Sequence, residues 1–345
     1  MMGEVKSRVL VFDRATLWMR HLPLWGRMGV GRFYQSTTED HPSMPTITTT
    51  RKPSDLSRAQ ARTGYLFVLP TAVLYLTFVL APVVLTCILA FSFFDPMLGS
   101  RWVGFDNFAR FFTNGRSVQI LWNTLRFTFF AVTFNVSIGL ILALALNRMM
   151  PGWLLYFFRL SFFLPVIIAA AFVSIVWTYF YGDDLGVINY YLRLIGLPGV
   201  RWLTDAGQAM TSIIIMDVWK NTGFFMIIFI AALQGVPKNI LEAAVMDGTP
   251  AWRQFFRITL PYISPVVFFC IVYASIGALQ VFESIVILTQ GGPGDSTRSL
   301  SILIVEEGFG SFQIGYAAAI SVVMTALILC ITAIQQLVSR KWVQQ

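Results

Sequence analysis

Residues 63–94 read TGYLFVLPTAVLYLTFVLAPVVLTCILAFSFF, 32 positions without one charged side chain. A helix rises about 1.5 Å per residue, so about 20 such residues cross a hydrocarbon layer roughly 30 Å thick. The run shows none of the short polar–apolar alternation that marks a barrel strand. Four more uncharged stretches follow at 127–147, 160–182, 258–282 and 308–339, of 21, 23, 25 and 32 residues. A sixth span belongs near 211–233, where Asp217 and Lys220 interrupt an otherwise apolar run. The whole chain of 345 residues is 56% hydrophobic and 12% charged, with a mean hydropathy of +0.69. Soluble domains carry about 25% charged residues, and half of that leaves too little polar surface to face water. A soluble enzyme, a nucleic-acid binder and a barrel are therefore set aside. The sequence predicts an all-α membrane protein with six transmembrane helices.

The net charge of +8 is distributed in a way that speaks of topology rather than of nucleic acid. Six spans put both termini on one side, and Lys/Arg-rich loops stay in the cytoplasm. The tail 1–62, the loops 147–160 and 234–261 and the C-terminus carry 17 of the 25 basic residues, against six in loops 91–121, 182–210 and 282–315. Both termini are expected to be cytoplasmic, although without the tail the contrast falls to seven against six. Cys87, Cys270 and Cys330 sit in apolar spans with no CxxC, which fits small packing residues. The two histidines, His21 and His41, lie in the tail, so no histidine-bearing intramembrane metal site is expected.

Residues 1–62 form the expected cytoplasmic tail, largely disordered. Its stretch 8–28 also suits an amphipathic helix on an anionic membrane surface, and translation from Met44 would dispense with both. A first transmembrane helix over 65–94 contains Pro70 and Pro82, which predict a kink or tilt. Five more helices fill 121–338, with a short surface helix near 186–195 and a third span near 157–181 that carries Pro165. Residues 339–345 form the C-terminal end, where Arg340 and Lys341 anchor the last span.

Catalytic parts are missing. No Gly-Lys dipeptide occurs, so no GxxxxGK[ST] phosphate cradle exists, and no Ser/His/Asp arrangement can form. The pairs Asp183-Asp184 and Glu306-Glu307 read as solvated surface charge. The inner segment from Pro237 to Pro261 specifies helix, turn, helix. Pro237 suits a first helical turn, and Gly248 can take the left-handed conformation that ends a helix. Thr249 can cap the next helix, with Pro250 at its first position. Leu241, Ala244 and Val245 share one face, with Glu242 and Ala243 beside it. Such a helix can enter a groove on another protein or simply lie in the interface between two spans. The pattern leaves both open.

The residues Glu242-Ala243-Ala244, Asp247-Gly248, Ile258 and Leu260-Pro261 resemble the EAA loop of ABC-importer permeases, with Thr249 where the family usually has alanine. Gly104-Phe-Asp-Asn-Phe108, Asn123-Thr124, Trp219, Ala232-Leu-Gln234, Pro237, Leu288-Thr-Gln-Gly-Gly-Pro293, Ser296-Thr297 and Gly315-Tyr-Ala-Ala-Ala319 are similar to the binding-protein-dependent carbohydrate group, which includes maltose and glycerol-3-phosphate permeases. The resemblance covers about 65–340. It implies a type-1 importer permease fold in the bacterial inner membrane and a pairing with a sister permease subunit. It also implies a cytoplasmic coupling helix (Glu242, Ala243, Ala244, Asp247, Gly248) docked on a separate ATPase dimer, and an extracytoplasmic solute-binding protein. The chain would bind no cofactor and catalyse nothing; ATP and Mg would be used by the ATPase partner.

Polar residues inside a membrane are expensive unless paired or facing water. Asp217 and Lys220 are three apart, and an internal ion pair is the plain expectation. In the family, the helices beside the EAA loop line the path, which makes Asn221, Phe224, Tyr273, Ser275, Gln280 and Glu283 candidate sugar contacts. The outer loops hold six basic against nine acidic residues, which favours a neutral sugar over an anionic solute such as glycerol phosphate. The alternatives are an ion-coupled secondary transporter, for which Asp217 is the only well-embedded carboxylate, a non-transporting scaffold or sensor, and a membrane enzyme.

Overall fold

The computed structural model describes residues 55–95, 99–147 and 151–342. Residues 1–54 fall outside this range, and with them the stretch 8–28, Met44, His21, His41 and most of the expected tail 1–62; the end of that tail, 55–62, is not disordered but forms the start of α1. The chain enters through α1 (Asp55–Tyr75), a π-helical turn at Leu76–Leu80 and α2 (Ala81–Ala90). Pro70 lies inside α1 and Pro82 opens α2. A two-stranded antiparallel hairpin follows, β1 (Ser92–Asp95) with β2 (Gly99–Trp102), in the register Ser92↔Trp102. It occupies a segment that the sequence reading left as loop. Then come α3 (Asp106–Thr113) and α4 (Gly115–Leu146), the longest helix at 32 residues.

The span expected over 157–181 is not one helix. It is α5 (Gly152–Ile167) and α6 (Ala170–Phe180), bent by 102°. Pro165 removes one hydrogen bond from the last turn of α5, and Ile168 and Ala169 take extended backbone with ψ 134° and 140°. Among the described residues, five helices are long and apolar enough to cross a membrane, and six if this bent pair counts as one span.

The rest of the chain is α7 (Val187–Leu194), α8 (Ala209–Gln234), α9 (Lys238–Met246), α10 (Ala251–Gln254), a π-helical turn at Phe255–Thr259, α11 (Leu260–Leu279), α12 (Glu283–Leu288), α13 (Leu300–Val305) and α14 (Ile314–Trp342). Helices α4 and α8 form the axis of the body, with Phe225, Met226, Phe229 and Ala143 buried between them and α11. They can approach closely because Gly139 on α4 lies against Phe225 of α8. Gly223 sets a second close approach: a Cβ there would strike the carbonyl oxygen of Phe162 on α5. Cys270 is buried as expected, whereas Cys87 and Cys330 are exposed on this chain's apolar surface. Those faces carry Leu, Ile and Phe side chains, which hydrocarbon solvates without cost.

Candidate functional site: an intramembrane cavity between two ordered ends

Helix α8 carries Asp217, Lys220, Asn221 and the aromatic Phe224 at spacings of three and four that place them on one face. Helix α11 answers with Tyr273, Gly277 and Gln280, again four and three apart. Between these rows and α4 lies a cavity of about 540 Å³. Asn221, Phe224, Tyr273 and Gln280, four of the six candidate contacts, line it together.

The expected Asp217–Lys220 ion pair does not form. Among the described residues, ion pairs within 4.0 Å join Arg116 and Arg298 to Asp295 and Glu306. Asp217 instead accepts from two amides: Asn135 Nδ2 at 2.9 Å on Oδ2 and Asn221 Nδ2 at 2.9 Å on Oδ1. A carboxylate only accepts, so both asparagines must turn their amino groups to it. Thr222 Oγ1, which donates to the Val218 carbonyl, lies 3.5 Å from the carbonyl oxygen of Asn135, and that of Asn221 has no donor among the described residues. This clamp satisfies a charge within the span and ties α8 to α4. Asn135 was missed from sequence, although an amide in the middle of the uncharged run 127–147 is a costly placement and hence a signal. Opposite the clamp, Phe224 and Tyr273 form an apolar platform with centroids 5.0 Å apart and planes tilted 31°, backed by Phe269.

Ser275 and Glu283 are elsewhere. Ser275 is buried, donates to the Ile271 carbonyl at 2.7 Å and accepts from Gln335 Nε2 at 2.8 Å, on the side of a different hollow between α4, α11 and α14. One residue along a helix turns a side chain by about 100°, so Ser275 cannot face where Tyr273 and Gly277 do. Glu283 is exposed at the start of α12, outside the cavity.

At one end of the body, α9 closes through a Schellman turn: Gly248 at φ +70° donates to the Val245 carbonyl, and Thr249 N–H to that of Ala244, both at 3.0 Å. Pro237 caps α9 from outside it, with ψ 123°, rather than occupying its first turn. The residue before α10 is Pro250, which holds the N-cap position itself, so the expected Thr249 cap with Pro250 at the first helical position does not form. Leu241 and Ala244 hold the helix against the body, and Gln254 Nε2 donates to the Leu241 carbonyl at 3.0 Å. Glu242, Ala243, Asp247 and Gly248 are exposed. So are Val245 and Met246, the latter at 86%, so Val245 does not share the buried side that Leu241 and Ala244 present.

The opposite end is bound by long-range contacts. Asn123 Nδ2 donates to the carbonyls of Asp295 and Arg298 at 2.7 and 3.4 Å, and Thr124 Oγ1 receives the Leu300 N–H at 3.0 Å. The turn from Gln290 to Asp295 contains a cis Gly292–Pro293 bond and four residues of positive φ, Gln290, Gly291, Gly294 and Asp295. Thr297 Oγ1 closes it by donating to the Gly292 carbonyl at 2.8 Å. Arg116 and Arg298 both bind Asp295 and Glu306, with Arg116 at 2.8 and 3.3 Å. Glu306 is thus part of an ion network and not a merely solvated charge. The hydrogen bond from Arg116, and then Arg298, holds the Asp295 carboxyl below its ordinary range.

A mostly helical membrane body with a polar cavity and the exposed helix α9 fits a transport permease. Comparison with known families completes the assignment: residues 135–344 match the model of the binding-protein-dependent transport system inner membrane component, and the chain belongs to that family. It is 34% identical over 282 residues to the sn-glycerol-3-phosphate transport system permease protein UgpA of Pectobacterium atrosepticum, covering 80% of this chain and 94% of that one. Against the trehalose/maltose transport system permease protein MalF of Thermococcus litoralis it is 32% identical over 291 residues, 83% and 97% of the two chains. A solved bacterial alginate ABC transporter, in complex with an alginate pentasaccharide-bound periplasmic protein, contains a chain that superposes with a TM-score of 0.76. That match is at 25% identity and covers 84% of this chain and 98% of the other. The chain is therefore a multi-pass inner-membrane transport component of the type-1 importer fold.

Proposed function

We propose that this chain forms half of the translocation path of an ATP-driven importer for a sugar, delivered from outside by a solute-binding protein. The observation that carries this reading is the intramembrane cavity, in which amide and ammonium groups face an aromatic platform. Hydroxyl groups need such donors and acceptors, and an aromatic face covers the apolar side of a sugar ring. The relatives named above for sugars and glycerol phosphate support the solute class. A sister permease supplies the other half of the path. Two ATPase subunits, which use ATP and Mg, grip the exposed side of α9 at Glu242, Ala243, Asp247 and Gly248, while this chain binds no cofactor of its own. The termini and α9 face the cytoplasm, and the Asp295 end faces the binding protein.

The test is uptake by the reconstituted complex, with solute concentration varied. Asn221→Ala and Gln280→Ala should each raise the half-saturating concentration severalfold while leaving ATP hydrolysis in the absence of solute unchanged. Unaltered concentration dependence in both variants would remove the cavity from the path.

A further inference from the structure

Beside the polar cavity, a second hollow of about 580 Å³ runs down a neighbouring face of α4. Phe130, Phe134, Ile138 and Leu142, each four residues from the last, form one wall, and Ile215 and Val218 of α8 face them. The α4 row is about 18 Å long at 1.5 Å per residue. That is close to one leaflet's half of a hydrocarbon core roughly 30 Å thick. The groove is apolar along its length and charged at one end, where Arg126 lines it.

Arg126 is exposed and has no hydrogen bond or ion pair among the described residues. No carboxylate lines the groove. The uncharged run 127–147 begins at the next residue and by itself measures about 31 Å as a helix. Arg126 therefore sits at the edge of the hydrocarbon, at the depth of lipid phosphates. Trp122, one turn above it and 67% exposed, is an indole of the kind that settles at headgroup level.

We propose that this groove binds an anionic phospholipid, its phosphate on the Arg126 guanidinium and one acyl chain along Phe130, Phe134, Ile138 and Leu142. A planar guanidinium pairs with phosphate through two parallel hydrogen bonds, and a cation at this depth is costly until it finds such a partner. The groove offers a lone positive charge and no negative one. It selects a lipid of net negative charge over a zwitterion, whose own ammonium competes for the phosphate. A neighbouring protein helix would have to bring a carboxylate to the same spot.

The experiment uses the full-length chain in its assembled complex, reconstituted in vesicles containing equal parts of phosphatidylglycerol and phosphatidylcholine. The complex is then re-extracted in mild detergent, and retained lipid is counted by native mass spectrometry. Wild type should retain phosphatidylglycerol over phosphatidylcholine, and Arg126→Gln should lower that retention by about tenfold, as expected for one charge-assisted pair. Arg126→Lys should restore part of it. Independently of any Arg126 variant, a photo-crosslinker replacing Phe134 should add the mass of one phosphatidylglycerol. Equal retention of the two lipids by wild type, unchanged retention in Arg126→Gln, or a crosslink from position 134 to a second permease would each overturn the proposal.

Discussion

The elbow at 235–261 and the segment at 289–310, on the proposed inner and outer sides, are both irregular connections beside transmembrane helices, yet they are ordered in opposite ways. The elbow is held almost entirely by its own sequence: a Schellman turn at Gly248, a proline at each helix entry, and one side-chain bond from Gln254. The outer segment is held by residues about 170–190 positions away, Arg116, Asn123 and Thr124. A self-ordered element leaves its surface free, and α9 exposes Glu242, Val245 and Met246 to whatever docks there. An element ordered by distant contacts is locked to the body and moves with it. The first design suits a handle and the second a rigid rim.

The largest effect should come from breaking the handle. Gly248→Pro cannot adopt φ +70°, since proline is fixed near −65°. The variant should insert normally yet lose co-purifying ATPase and solute-driven ATP hydrolysis almost completely. Glu242→Lys should do the same through charge, with the helix intact by circular dichroism. On the rim, Thr124→Val leaves the buried Leu300 N–H without its acceptor, at a cost of about 1–3 kcal/mol. A lower thermal midpoint and faster hydrogen exchange over 289–305, with no change over 238–249, are expected. Asp217→Leu deprives the amides of Asn135 and Asn221 of their acceptor, also about 1–3 kcal/mol. It should additionally raise the half-saturating solute concentration, which the rim variant should not. The smallest effect is on pH. Because Arg116 and Arg298 depress the Asp295 carboxyl, its contribution is present above the ordinary carboxylate value near 3.9 and fades as pH falls through its lower folded value. Limited proteolysis should therefore open the rim only in strong acid, and Asp295→Asn should open it equally at neutral pH.

The same contrast explains what was legible beforehand. The long spans, the helix near 186–195 and the α9 turn were readable because uncharged runs, Gly and Pro act locally. The break in α5–α6, the hairpin at Ser92–Trp102 and the engagement of Glu306 depend on contacts that only the folded chain creates. The cavity lay between. Asn221, Phe224, Tyr273 and Gln280 fell into place from helical spacing, whereas Ser275 went astray because its position on α11 faces α14. Asp217 and Lys220 have the right separation for a pair, but an amide from α4 and another one turn along α8 reached the carboxylate first.

The 102° corner at Ile168 and Ala169 carries a consequence of its own. With α5 only 16 residues long, its last carbonyls and the first amides of α6 are stranded at a depth where oil offers them nothing. Val166, two residues before the corner, borders the cavity, so the corner lies beside a polar chamber and not against hydrocarbon alone. A span broken at mid-depth needs a polar neighbour, and the chamber beside Val166 is one.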